Sequence, residues 1–361
     1  MLCALCAMLT YFRRLMPVVQ TSEVSLASML RQKTCAVFSG VANSRPLGEL
    51  CLVLLSEQKK VWPDLTKGYE SFESRAERDI PCGGFSVRVQ HNPGRIRSST
   101  ADVSQENASK QKCFLCLDHL PEEQKGILYR HEFLILCNPA PILTAHLTVS
   151  HVDHCRQSFT ENVEPFLQLI ADLGSGWVVL YNGPKCGASA PDHLHFQAAP
   201  SGQMPIEKDI REQKGFVLKK QAEGILFYRV EGSGREVVVI EGEDPVAVGS
   251  GLNDFLQVCK KTLSLDDEPM INVVGLHEGG KYRVVIFPRR KHRPDGFFKK
   301  GNDRVVVSPG VIDMAGVLVT PVERDFDRLD ASVVEGIYKE VSWEGEGVEK
   351  ALRSLGKAQR A

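Results

Sequence analysis

The sequence lacks the features that would place it in several large classes of protein. Its charges balance, with 44 Lys and Arg against 45 Asp and Glu, so it has no basic excess of the kind that general nucleic-acid binders carry. It also has no apolar run long enough to cross a bilayer. We therefore expect neither nucleic acid nor a membrane among its partners.

The cysteines do not form the set expected of a disulfide-bonded protein. There are eleven, an odd number, and they are scattered along the chain. This usage argues against a disulfide framework and for a reducing compartment. We therefore expect a cytoplasmic protein.

The N-terminal stretch MLCALCAMLTYFRRLMP does not have the order of a secretory signal, because its apolar residues precede its basic ones. Cys3 and Cys6 form a C-x-x-C, but the cysteines and histidines that could complete a metal site follow only much later. We interpret the stretch as a peripheral leader.

The apolar content, 43% of 361 residues, predicts a sizeable core in one two-part domain or in two ordinary domains. Residues 22–80 have a helical pattern. After residue 113 the order strand, strand, helix, strand, strand occurs twice, which indicates a duplication of structure with little residue identity. We divide the chain into an N-terminal helical leader and support, a first half and a second half: 1–82, 83–205 and 206–361.

The segment PDHLHFQ, residues 191–197, alternates polar and apolar side chains. Side chains two apart in a strand share a face, so His193, His195 and Gln197 point one way while Leu194 and Phe196 point to the core. The alternatives are a solvated face or a buried structural histidine. Three polar groups in register after the small-residue loop GPKCGASAP favour a functional site.

Cys113 and Cys116, in KCFLCLDHLP, have the spacing at which two thiolates chelate one zinc ion. A thioredoxin-like redox pair has the same spacing, but the βαβ context is missing here, and a site without metal is the other alternative. Zinc needs four ligands, and the candidates for the other two are His146, His151, His154 and His193.

The segment YNGPKCGASAPDHLHFQ resembles the active-site strand of the histidine-triad (HIT) superfamily. The similar branch holds galactose-1-phosphate uridylyltransferase, diadenosine tetraphosphate (Ap4A) phosphorylase and the GDP-hexose phosphorylases. Its pattern of Asn, Gly-(Ala/Cys)-Ser and His-x-His-x-Gln is present as Asn182, Gly187, Ala188, Ser189, His193, His195 and Gln197.

Other segments carry the resemblance outside that strand. CFLC and HLTVSHVDH are similar to the zinc-binding segments of the uridylyltransferase, and VQHNPGRIRSS is similar to its early arginine loop. VSPGVIDMAGVLVTP, in the second half, is similar to a late segment of GDP-hexose phosphorylases. The resemblance implies an α+β fold of HIT-like antiparallel sheets with packed helices, in two HIT-like halves of which the second is degenerate.

The resemblance implies a double-displacement reaction on an NDP-sugar or a dinucleoside polyphosphate. His195 would be the nucleophile that takes up the nucleotide, and phosphate or a sugar 1-phosphate would be the acceptor. Gln197 and Ser189 would donate to phosphate oxygens, while Asn182, Gly187 and Ala188 would form the substrate loop. Gln197 stands where HIT hydrolases keep a third histidine, which favours a transferase or phosphorylase.

The resemblance also implies a structural zinc ion, held by Cys113, Cys116, His154 and His193, with no position left open for a catalytic water. His151 is an alternative third ligand. Basic residues of both halves are candidates for contacts with phosphate or acceptor: Arg95, Arg97, Lys281, Arg283, and Arg289 or Arg290.

The function expected from the sequence is therefore nucleotidyl transfer. The expected small-molecule partners are nucleotides or nucleotide sugars, and a homodimer is compatible with the sequence. Two alternatives remain at this stage. One is a HIT-type nucleotide hydrolase, and the other is a zinc-stabilised nucleotide-binding module without turnover.

Overall fold

The computed structural model describes residues 20–40, 45–100 and 112–355. Its strands, in chain order, are β1 Thr34–Phe38, β2 Ala76–Pro81, β3 Ser86–His91, β4 Gly126–Tyr129, β5 Phe133–Cys137, β6 Leu147–His151, β7 Trp177–Asn182, β8 His195–Pro200, β9 Phe216–Ala222, β10 Ile225–Val230, β11 Val238–Gly242, β12 Ile271–Glu278, β13 Lys281–Pro288 and β14 Val317–Thr320. Its α-helices are α1 Gln20–Lys33, α2 Leu47–Val61, α3 Pro63–Glu73, α4 Ile96–Thr100, α5 Val163–Leu173, α6 Pro205–Arg211, α7 Pro245–Thr262, α8 Asp295–Phe298, α9 Val311–Met314, α10 Glu323–Arg328, α11 Ala331–Val341 and α12 Gly345–Ser354.

One 11-stranded sheet runs through the molecule in the order β1-β4-β5-β6-β8-β7-β12-β13-β11-β10-β9. The strands β4-β5-β6-β8-β7 are followed by β12-β13-β11-β10-β9, which is the same connectivity in reverse spatial order. The two halves meet where β7 pairs antiparallel with β12, with Asn182 opposite Asn272. The predicted α+β fold with two duplicated halves is thereby confirmed.

Local sequence explains the corresponding helices of the two halves, α5 and α7. In α5, Val163, Phe166 and Ile170 recur at helical spacing and are buried against the sheet. Asp244 caps the start of helix α7, because its carboxylate accepts the Val246 N–H at 3.0 Å. Pro245 then occupies the first helical position. In the chain, each helix follows the third strand of its half and precedes the fourth.

The sheet is covered on both faces. Helices α2, α3, α5, α7 and α12 pack on one face, where Leu194 and Phe196 are each 1% exposed. The small sheet β14-β3-β2 packs on the other face with α6, α9 and α11. Burying side chains of this size contributes about 1.5–3 kcal/mol each, so Leu194 and Phe196 anchor the start of strand β8 on the core.

The N-terminal part differs from the helical support expected over residues 22–80. Strand β1 pairs parallel with β4 and forms an edge of the large sheet, and β2 pairs with β3. The helical pattern missed both strands because TCAVF and AERDIP are too short to show a clear alternation. The leader, with Cys3 and Cys6, lies outside the described residues. Within the described part of the chain, no helix is both long and apolar enough to cross a membrane.

Candidate active site

A cavity of about 660 Å³ opens where the two halves meet. The first half contributes strand β8 and the loop before it, including Ser189, His195 and Gln197. The second half contributes the segment around Arg293 and Gly310. The cavity therefore brings the sequence motif of the first half next to a distant segment of the second half.

His195 is held as a neutral imidazole of fixed tautomer. It is 3% exposed, and burial lowers its pKa to about 4, so the ring is uncharged at neutral pH. Its Nδ1–H donates to the His193 carbonyl oxygen at 2.8 Å, which leaves the lone pair on Nε2. A neutral ring with a free lone pair on a fixed nitrogen is the form that can act as a nucleophile.

Gln197 is oriented by His146, a residue that the sequence offered only as a metal ligand. The His146 Nδ1 accepts the Ile142 N–H at 3.2 Å, so the proton of this neutral ring is on Nε2. That Nε2–H donates to the Gln197 side-chain oxygen at 2.7 Å. The amide NH₂ of Gln197 is therefore the end that remains for a ligand in the cavity.

Asn182 and Gly187 join the small-residue loop to the second half. The Asn182 side-chain oxygen accepts from the Asn272 amide at 2.8 Å and from the Val311 N–H at 2.7 Å. Gly187 has φ +115°, and a Cβ there would lie 2.8 Å from Gly310 Cα. Only glycine fits this approach without strain. Ala188 is buried beside it and Ser189 is exposed, and both line the cavity.

The four predicted metal ligands converge on one point. The sulfur atoms of Cys113 and Cys116 and the Nδ1 atoms of His154 and His193 all lie within 4.8 Å of one another. The Cys113 sulfur is 3.3 Å from His193 Nδ1, and the Cys116 sulfur is 3.2 Å from His154 Nδ1. Tetrahedral zinc with these donors separates its ligand atoms by roughly 3.3–3.8 Å, so the set fits a metal ion.

The surrounding hydrogen bonds orient these ligands. The His193 Nε2–H donates to the His151 carbonyl oxygen at 2.9 Å, which aims Nδ1 at the cluster. His151 itself accepts the Asp153 N–H on its Nδ1 and lies outside the cluster. Of the three histidines considered for the third position, the structure therefore brings His154 to the cysteines. His193 lies in a bend, two residues before β8 begins at His195.

The basic candidates divide into those that reach the cavity and those that do not. Arg95 lines the cavity and donates to the Ala140 carbonyl, and burial lowers its pKa to about 10. Lys281 and Arg283 lie outside the cavity, because both pair with the buried Glu241, at 3.2 and 2.6 Å. The Arg97 side chain lies outside the described residues.

Arg289 and Arg290 also have other partners. Arg289 is 1% exposed and donates to the carbonyl oxygens of Pro309 and His292 at 3.0 and 2.8 Å. It therefore holds the loops of the cavity wall together instead of facing a ligand. Arg290 donates to the Glu340 carbonyl oxygen at 2.7 Å.

The second half instead contributes Arg293, which sequence reasoning missed. Its Nε donates to the Ser308 hydroxyl at 2.8 Å, and its guanidinium lies 4.2 Å from the centre of the Phe297 ring. His292 Nε2 lies 3.2 Å from the same hydroxyl, and burial lowers the pKa of His292 to about 3. No motif marked Arg293, since it becomes part of the site only through the meeting of the halves.

The strand register shows one position at which the second half differs from the first. His195 on β8 is opposite Ser150 on β6, and Arg283 on β13 is opposite Glu241 on β11. The second half therefore has the Arg283–Glu241 ion pair at the strand position that corresponds to His195 in the first half.

Comparisons with known proteins agree with this geometry. Residues 54–200 match the model of a domain of unknown function, DUF4922. No curated protein matches the sequence at a significant level. Among solved structures, yeast Ap4A phosphorylase Apa2 in complex with AMP is 14% identical, covers 83% of this chain and 97% of its own, and superposes with a TM-score of 0.54.

The same yeast protein in complex with Ap4A is 13% identical, covers 81% of this chain and 97% of its own, and has a TM-score of 0.53. A GalT-like protein from Arabidopsis thaliana is 13% identical over 73% of this chain and 99% of its own, with a TM-score of 0.35, too low to bear on the fold. The chain therefore shares the fold of the yeast Ap4A phosphorylase.

Proposed function

We propose that the protein is a nucleotidyltransferase or phosphorylase that works through a nucleotidyl-histidine intermediate at His195. The observation that carries this proposal is the state of the His195 ring. It lines a cavity shared by both halves, it is neutral, and its Nδ1–H is fixed on the His193 carbonyl. The free lone pair on Nε2 is what attack on phosphorus requires.

In the first half-reaction, Nε2 attacks the α-phosphorus of an NDP-sugar or a dinucleoside polyphosphate. An N–P bond forms, the bond from that phosphorus to the bridging oxygen breaks, and its electrons leave with the sugar phosphate or nucleotide. The ring becomes cationic, and the His193 carbonyl, which still accepts the Nδ1–H, stabilises that charge.

In the second half-reaction, an oxygen of phosphate or of a sugar 1-phosphate attacks the same phosphorus. The N–P bond breaks and its electrons return to Nε2, which restores the neutral ring. Because a phosphate group leaves in the first step and a phosphate group attacks in the second, one set of phosphate contacts serves both donor and acceptor.

Gln197→Glu is expected to lower the rate of transfer at saturating substrate by about 10²–10³-fold, the usual cost of losing one donor to a developing charge. The substitution removes the NH₂ that His146 turns toward the cavity and places a carboxylate near phosphate oxygens. Single-turnover kinetics measures the effect. Gln203→Glu, at a glutamine outside the cavity lining, is the control. Equal rates for Gln197→Glu and wild type would contradict the assigned role.

Arg293→Ala is expected to raise the KM of the phosphate-bearing substrate by about 10-fold or more, since a charge-assisted contact contributes about 1.5–3 kcal/mol. The control is Lys281→Ala, which removes a lysine of the same half that pairs with Glu241 away from the cavity. Steady-state kinetics measures the KM of both variants. A larger KM change for Lys281→Ala would reverse the assignment.

We propose zinc as the metal of the Cys113, Cys116, His154 and His193 cluster, because two thiolates and two imidazoles at tetrahedral spacing suit that ion. Four protein ligands leave no position for an activated water, so its contribution would be structural. His193 would tie the metal to the carbonyl that holds His195.

The fold supports the proposal, since the yeast protein that shares it is an Ap4A phosphorylase and its structure is known with AMP and with Ap4A. The deciding experiment incubates the purified protein with labelled NDP-sugars and labelled Ap4A, without acceptor. Acid-labile label on the protein is the expected result. Steady release of free nucleotide would indicate a hydrolase, and absence of label from every donor would indicate a binding module.

A further inference from the structure

The hydrogen-bond ladder between β7 and β8 stops just before the catalytic histidine. The two strands pair from Trp177 with Pro200 to Leu180 with Gln197. Two more residues in the same register would bring Asn182 opposite His195. At this place the side-chain amide of Gln157 lies between the two strands.

Gln157 makes the hydrogen bonds that a neighbouring strand would make. Its Oε1 accepts the His195 N–H at 2.8 Å, and its Nε2 donates to the carbonyl oxygens of Asn182 and His195, at 2.9 and 3.2 Å. The side chain is 1% exposed. A carboxamide offers the same donor and acceptor as a peptide group, so it replaces the missing ladder bonds while keeping the strands apart.

The segment that carries Gln157 is bonded to the start of β8 at a second point. The Leu194 N–H donates to the Cys155 carbonyl oxygen at 2.8 Å, and the Leu194 carbonyl accepts the His151 N–H at 3.0 Å. Gln157 follows the candidate metal ligand His154 by three residues. In a continuous ladder β7 would hold the main chain of Leu194 and His195, but here the segment that follows His154 holds it.

We infer that Gln157 is a positioning residue for His195, an inference that rests on the proposed function. Its amide sets the distance between β7 and β8 and thereby the position of the ring at the cavity wall. Glutamate cannot donate to two carbonyl oxygens when ionised, and asparagine is one methylene too short to reach both strands. Without the amide, the strands close or admit water, and a displacement of about 1 Å lowers rates by about 10²-fold.

The test compares Gln157→Ala with Gln58→Ala. Gln58 is a matched control, because it is also a buried glutamine that bridges backbone groups, with Lys125 N–H at 2.8 Å and the Glu123 carbonyl at 3.2 Å, whereas Gln157 bonds to His195. Both variants should lower Tm. Only Gln157→Ala should slow nucleotidyl-enzyme formation, by about 10²-fold at saturating donor, with the KM of the donor within about threefold of wild type.

A second measurement does not depend on turnover. In protein with ¹⁵N-labelled histidine, wild-type His195 should give the NMR signature of a ring protonated at Nδ1, and Gln157→Ala should give a mixture of tautomers. Gln157→Asn repeats both measurements if the alanine variant does not fold. A wild-type labelling rate together with an unchanged His195 tautomer would overturn the inference. If wild type accepts no donor, the proposed function fails, and the tautomer result alone decides the role of Gln157.

Discussion

His195→Ala is expected to abolish formation of the nucleotidyl-enzyme and to lower overall transfer by at least about 10³-fold. The variant loses the Nε2 lone pair that the bond from Nδ1–H to the His193 carbonyl keeps available. Donor affinity should change little, because the phosphate contacts proposed for Gln197 and Ser189 remain. Acid-labile incorporation of labelled donor and single-turnover kinetics measure the two effects separately.

His277→Ala is the control for this variant, because His277 is a strand histidine that does not line the cavity. It should incorporate label at the wild-type rate. Retention of acid-labile label by His195→Ala would remove this residue as the nucleophile. Loss of label in both variants would point to a general loss of stability instead.

Removal of the metal is expected to destabilise the protein by several kcal/mol and to lower its Tm by about 10 °C. The cluster holds together two cysteines of the 113–116 turn, His154 and His193, which are distant in sequence. Without a cation, no metal–ligand bonds join these segments. Chelation followed by calorimetry measures the loss.

Cys113→Ala should reproduce the effect of chelation, whereas Cys155→Ser should retain one metal ion per chain, since Cys155 is next to His154 but outside the cluster. Elemental analysis of freshly purified protein gives the metal content. Freshly purified wild-type protein without metal would refute the site. The metal-free protein should also form the nucleotidyl-enzyme more slowly, because His193 carries the carbonyl that fixes the His195 ring.

Much of the site could be predicted from sequence because the functional groups of the first half are close together in the chain. The alternation of PDHLHFQ placed Leu194 and Phe196 in the core, and the structure confirms this. The C-x-x-C spacing predicted Cys113 and Cys116 as metal ligands, and the structure places their sulfur atoms beside His154 and His193. The duplicated order of strands and helices predicted the two halves that the sheet contains.

Other features could not be predicted, because they depend on contacts between segments far apart in sequence. The repeat pointed to Lys281 and Arg283 as the basic residues of the second half, but both pair with Glu241, and Arg293 lines the cavity instead. Nothing in the local pattern distinguishes these three cations, since only the tertiary fold decides which of them lines the cavity.

The sequence by itself determined the types of chemical group in the site: histidines and a glutamine at the cavity, and two cysteines with histidines at a spacing that suits a metal ion. Only the tertiary structure decided their states and directions. The tautomer of His195 depends on its bond to the His193 carbonyl, and the orientation of Gln197 depends on His146. The physical reason is that hydrogen-bond direction and burial come from neighbours in space, which residue spacing along one strand does not specify.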